Sequence, residues 1–265
     1  ADISIACWNY YCLTRDGQWL RTKAFPLMKA VADFWVSRVT RNDDGSYSIC
    51  NVVGADEYAN GVDDNAFTNG AAIRALEYAC EAARICNEPV PEIWEEVGKG
   101  IRILRFKDGV TREHATYNGE MIKQADVNLL GYPLYFVGDA ESQKKDMEYY
   151  VDKIDPQNGP AMSYSVFCVQ YARMGDAKHA YEMLCRCYQP NLRAPFGVLA
   201  ETPTSDNPYF MTGAGGLLQA VINGFCGLQI TDGGVEQLSS VLPAHWKKVT
   251  VKGVGPEKKM YTRER

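Results

Sequence analysis

Histidine is scarce in this 265-residue chain, with only three copies, His114, His179 and His245. They are scattered, so no imidazole cluster is available to ligate a metal or to activate a nucleophile, and each reads as structural. No apolar run approaches the roughly 18 residues that a membrane span needs, so no membrane partner is expected. A net charge of -5 and a pI of about 5.4 leave no basic surface for nucleic acid. Cysteine is present in an odd number, nine. Cys7, Cys12, Cys50, Cys80, Cys86, Cys168, Cys185, Cys187 and Cys226 mostly fall on apolar faces, which reads as reduced core packing. The spacing of Cys185-Arg186-Cys187 is too short for a zinc pair. Neither a metal nor an organic cofactor is expected. With 46% hydrophobic residues the chain has the means to bury a sizeable core.

Three polar strings stand out against that background. The first is Gly54-Ala55-Asp56-Glu57-Tyr58, followed by Val62-Asp63-Asp64-Asn65-Ala66-Phe67-Thr68-Asn69. So many acids and amides beside the apolar pair Val52-Val53 are costly unless they bind something polar. The plainer alternative is a turn with Thr68 or Asn69 capping the next helix. The second string is Lys123-Gln124-Ala125-Asp126-Val127, whose donors and acceptors suit the hydroxyls of one pyranose. Its alternative is an i,i+3 ion pair between Lys123 and Asp126 on a helix. The third string ends an apolar stretch at Glu201-Thr202-Pro203, a setting for a carboxylate in a partly dry cleft.

Taken together, these strings resemble glycoside hydrolase family 65, whose pattern around the general acid looks like G-x-D-E-Y followed by V-D-N-N-A-Y-T-N. Gly54, Asp56, Glu57, Tyr58, Val62, Asp63, Asn65, Ala66, Thr68 and Asn69 match it; Asp64 and Phe67 depart from it. The family's K-Q-A-D-V string matches without a gap at Lys123 to Val127, and the resemblance runs over nearly the whole chain. Phosphorylases of the family hold phosphate with a loop containing serine and histidine, whereas its hydrolases place a glutamate in a segment like Glu201-Thr202-Pro203. No serine–histidine pair stands near Glu201, and Gly159 to Met162 and Phe210 to Ala220 also resemble the hydrolase branch.

Periodicity reads as a succession of helices. Phe25, Met28, Ala32, Trp35 and Val39 share one face, as do Ile73, Leu76, Cys80 and Ala83, and Ala177, Tyr181, Leu184 and Tyr188. Further helices are predicted near 3–13, 91–105, 141–154, 160–174 and 214–226, with breaks at Asp108-Gly109, Gly131 to Pro133, Pro156 to Pro160 and Pro203 to Pro208. After about residue 227 short β-like runs appear at Leu228 to Ile230, Gln237-Leu238 and Lys248 to Val254. Glu257 to Arg265 is expected to fray. The fold class is therefore mainly α. The resemblance implies part of an (α/α)6 barrel over 1–226 and the start of a small β-sandwich over 227–265.

The resemblance further implies an inverting α-glucosidase acting on a glucosyl disaccharide or glucosyl-galactose unit. Glu57 would be the general acid and Glu201 the general base, with Lys123, Gln124, Asp56, Asp126 and Tyr58 around the sugar. A disaccharide phosphorylase and a non-catalytic helical interaction or sugar-binding fragment are the alternatives. The family's upstream β-sandwich, first half-barrel and Trp-Asp string have no counterpart, since none of Trp8, Trp19, Trp35, Trp94 and Trp246 precedes an aspartate. The chain is thus expected to be a fragment or split subunit, partnered by the missing N-terminal portion and poorly active alone. Any signal peptide would precede Ala1, so the compartment stays open, with cytoplasm favoured over periplasm.

Overall fold

A computed structural model describes residues 1–136, 139–207 and 209–265; Pro208, the end of one expected break, lies outside them. The fold is mainly α, and the chain forms two compact units. One comprises Ala1–Gly54, Ala59–Asn118 and Ile230–Gly234, the other Ala55–Tyr58, Gly119–Gln229 and Val235–Arg265. The four-residue segment carrying Glu57 is grouped with the second.

In the first unit the helix Ala66–Cys86 packs against the helices Asp2–Thr14, Phe25–Arg38 and Glu92–Gly100. Its buried residues include Ala71, Ala72, Ala75, Ala79, Ala82 and Ala83, small enough to let neighbours approach from several sides. The cap is Asn65, not Thr68 or Asn69. Its Oδ1 accepts the Thr68 N–H at 2.8 Å, a bond that stabilises a helix by about 1 kcal/mol. Asn87 ends the helix in the left-handed conformation.

The helix expected over 91–105 stops at Gly100 because the next residues have extended partners. Ile101 bridges Tyr47, and Arg105 bridges Thr111. A Cβ on Gly100 would meet the Tyr47 ring at 2.6 Å, so only glycine allows that approach.

The second unit is built around Met162–Arg173, buried along almost its whole length and packed by Ala177–Arg186, by Met211–Gln219 and by the π-helical turn Ala220–Phe225. A Cβ on Gly216 would stand 2.6 Å from Ser165 Oγ, so glycine sets the close packing of these helices. The helix expected over 141–154 is Ala140–Tyr150, since Ile154 instead bridges Ile122. The helix expected from 214 begins at Met211.

The β-like runs near the end form strands Leu228–Thr231, Gly234–Gln237 and Lys248–Val254. The expectation that Glu257 to Arg265 frays is overturned. Lys259–Glu264 is a strand antiparallel to Lys248–Val254, with Val251 opposite Tyr261 and Lys248 opposite Glu264. Met260, Tyr261 and Thr262 are strand formers despite the charges around them, and Thr250 and Thr262 pair their hydroxyls at 3.0 Å across the ladder.

Candidate functional site

Residues 119–126 are not helical, so Lys123 and Asp126 form no i,i+3 helical pair. Lys123 instead donates through Nζ to Glu57 Oε2, and the same nitrogen stands 3.9 Å from Glu201 Oε1. One ammonium therefore serves both candidate catalytic carboxylates.

The backbone beneath them is fixed by the other acids. Asp56, buried, accepts the Lys123 N–H at 2.7 Å and the Tyr58 N–H at 3.2 Å. Asp126, also buried, accepts the N–H groups of Ala55 at 2.9 Å and Asp56 at 3.3 Å. Buried carboxylates need such donors. Here they cross-link the segment carrying Glu57 to the one carrying Lys123, which leaves Glu57 itself free to face solvent. Its side chain is 58% exposed, against 21% for Lys123 and 35% for Glu201.

The charges act on each other. The Lys123 N–H bond holds the Glu57 carboxyl below its ordinary range, and the same bond raises the Lys123 ammonium. In the free protein the arrangement therefore favours ionised Glu57.

Gln124 is 5% exposed and its Oε1 has no hydrogen-bond partner. It lines a cleft of about 440 Å³ with Ala55, Leu129, Tyr132, Met162 and Thr212, a size and polarity typical of small-molecule sites. An orphaned buried acceptor is costly unless a ligand supplies a donor. Tyr58 is half exposed, and its hydroxyl donates to Asp155 Oδ2 at 2.8 Å.

The polar loop after Tyr58 is used differently from the expectation that it binds a ligand. Asp63 accepts the Asn51 N–H at 2.8 Å. Asp64, buried, takes two bonds from Arg102 at 2.9 and 2.7 Å and one from Ser48 at 3.2 Å. Asn65 caps the helix. These side chains hold the first unit together.

Sequence reasoning missed three supports. Buried Asn191 donates to the carbonyls of Ala200 at 3.1 Å and Glu201 at 3.0 Å. Arg193 Nη2 reaches the carbonyls of Thr202, Pro203 and Ser205 at 3.2, 2.8 and 2.8 Å. Asp155 is the third; an aspartate three residues before Asn158, just ahead of the break at Pro156 to Pro160, was its available signal.

Among the described residues no group of three or more His, Cys, Asp or Glu is placed to hold a metal, and no helix is long and apolar enough to cross a membrane. All nine cysteines are free, and burial pushes the Cys168 and Cys187 thiols far up, which makes them unreactive.

Residues 1–99 match the glycosyl hydrolase family 65 central catalytic domain. Over 261 residues the chain is 50% identical to kojibiose hydrolase of Mucilaginibacter mallensis, a match covering 98% of this chain and 39% of that protein. The chain belongs to glycoside hydrolase family 65. A second family relative, protein-glucosylgalactosylhydroxylysine glucosidase of Dictyostelium discoideum, is 38% identical over 243 residues, covering 89% of this chain and 34% of that protein. The chain thus spans well under half the length of the curated relatives it matches. A solved structure of a candidate kojibiose phosphorylase from the human microbiome superposes with a TM-score of 0.75 over 99% of this chain and 44% of the other. At 16% identity that likeness speaks to fold alone.

Proposed function

We propose that this family 65 chain carries the acid and base of an inverting α-glucosidase acting on a glucosyl disaccharide or glucosyl-galactose unit. The observation that carries the reading is the meeting of Glu57 and Glu201 at one lysine. Glycosidases need two carboxyl groups flanking the scissile bond, and in inverting enzymes these stand roughly 6.5–9.5 Å apart, which leaves room for a water. Glu57 donates a proton to the leaving oxygen, and Glu201 takes one from water on the opposite face of the sugar.

The bond between Lys123 and Glu57 sets a condition on that mechanism. A proton donor needs a raised pKa, and Lys123 lowers it in the free protein. The arriving sugar offers hydroxyl acceptors to Lys123 and excludes water from Glu57. Both changes favour the protonated acid. Lys123 and the orphaned carbonyl of Gln124 then hold hydroxyls of the glucose, Asp56 and Asp126 keep that shell oriented, and the Tyr58 ring offers a stacking face.

The mainly α architecture supports part of an (α/α)6 barrel over residues 1–226. The strands after residue 227 support the start of a small β-sandwich. The named activities of the kojibiose hydrolase and glucosidase relatives support hydrolysis rather than phosphorolysis, as does a carboxylate at Glu201, which disfavours a phosphate dianion at the nucleophile position. The test is turnover of a panel of α-glucosyl disaccharides, kojibiose first, by the full-length protein and its Glu57→Gln and Glu201→Gln variants. Hydrolysis lost in both variants is expected; wild-type rates in either variant contradict the assignment of that residue.

A further inference from the structure

Asp155 is not part of any string that the sequence singled out, yet the turn it begins reaches the neighbours of all three charged groups. Its carboxylate Oδ2 accepts the hydroxyl of Tyr58, the residue after Glu57, at 2.8 Å. Its backbone N–H donates at 2.8 Å to the carbonyl of Ile122, the residue before Lys123. Within the same turn the Gln157 carbonyl accepts the hydroxyl of Thr204, three residues beyond Glu201, at 3.1 Å. Just past the turn the Ala161 N–H donates to the Glu201 carbonyl itself at 3.1 Å.

The turn is firmly built. Asp155 Oδ1 accepts the N–H groups of Gln157 and Asn158 at 2.8 and 3.1 Å, and Asn158 Nδ2 donates to Oδ2 at 3.1 Å. Pro156 within it and Pro160 just past it restrict the backbone. These donors hold the Asp155 carboxyl far below the usual aspartate range, so it is a fixed anion at any working pH.

We propose that Asp155 is a positioning residue which, through the Tyr58 hydroxyl, holds the exposed Glu57 in register with Lys123 and Glu201. The inference rests on the reading of Glu57 as general acid. Glu57 has no buried packing of its own to set its direction, and its loop is short. The Tyr58–Asp155 bond tethers the adjoining residue by its side chain, in addition to the backbone contacts that Asp56 and Asp126 accept from this segment and from Lys123. A general acid displaced by about 1 Å loses much of its effect, up to roughly 100-fold.

Two conservative variants of the full-length protein isolate this bond. Tyr58→Phe keeps the ring and removes the hydroxyl. Asp155→Asn keeps an acceptor for the turn but presents an amide donor toward Tyr58. Each is expected to lower kcat on an unactivated disaccharide about 10-fold, with KM within about twofold, while an activated aryl α-glucoside, which needs little protonation, loses less than about threefold. The double variant is expected to be no slower than the worse single one, because both break one bond. Equal losses on both substrates, additive losses, a change confined to KM or unaltered kinetics would overturn the proposal. Glu57→Gln measured alongside separates the two levels. If it spares the aryl glucoside and Tyr58→Phe is silent, only the present inference falls; if it affects both substrates equally, the acid assignment fails and this inference with it.

Discussion

Lys123 binds Glu57 with the same ammonium nitrogen that stands 3.9 Å from Glu201 Oε1. The lysine bond favours ionised Glu57, so the geometry that brings the two carboxylates together also opposes the protonation that Glu57 needs. A substrate that takes over the lysine removes this opposition, and that makes the pH dependence a direct test.

Lys123→Met removes the N–H that lowers Glu57. A general acid acts while protonated, so kcat/KM falls as pH rises through its pKa, and a lowered pKa places that fall at lower pH. In Lys123→Met the alkaline limb of kcat/KM is expected to move to higher pH, while the maximum drops because contacts to sugar hydroxyls are lost. A pH–rate profile on an unactivated disaccharide checks this. An unmoved or acid-shifted limb would mean that Glu57 is not the group titrating there.

Glu57→Gln keeps the shape and removes the proton, and turnover of an unactivated glucoside is expected to fall by roughly 10²–10⁴. Glu201→Ala should be as slow with water as nucleophile. Azide needs no base and attacks from the same face, so it is expected to restore part of the cleavage and to yield β-glucosyl azide. Product analysis by NMR distinguishes this from simple inactivation, and formation of α-glucosyl azide would contradict the assignment of faces.

Stability in the first unit turns on Gly54 and Asp64. A Cβ on Gly54 would collide with the Asn65 side chain, so Gly54→Ala should displace the cap of Ala66–Cys86 and destabilise by about 1–2 kcal/mol. Asp64→Ala strands the Arg102 guanidinium and removes one of the partners of the Ser48 hydroxyl. Breaking a buried pair costs about 3–5 kcal/mol, and because Arg102 is 39% exposed about 2–3 is expected. Denaturant titration of each variant measures both; shifts within 0.5 kcal/mol, the usual range of surface substitutions, would show that the contacts are incidental.

Much of this was legible in the sequence because each position makes one local demand. The helices centred on Met28, Leu76 and Leu184 follow from apolar spacing, and the strings at Asp56 to Tyr58 and Lys123 to Val127 marked the segments that meet. What was illegible depended on partners far along the chain. The Tyr58–Asp155 bond joins residues 97 positions apart, and the halt at Gly100 is decided by Tyr47. Asp64 misled for a related reason: a buried acid that pairs with an arginine far along the chain reads, in sequence, like an acid awaiting a ligand. The strand Lys259–Glu264 was masked by its charges, Lys259, Arg263 and Glu264, which flank the strand formers Met260, Tyr261 and Thr262.

The most direct test of the central claim is the configuration of the first sugar released. In proton NMR of the full-length protein acting on an α-glucosyl disaccharide, the anomeric signals are followed before mutarotation, with and without phosphate. The account predicts β-glucose as the first-formed product, at a rate and yield that phosphate does not change. α-Glucose appearing first, or accumulation of β-glucose 1-phosphate, would contradict it.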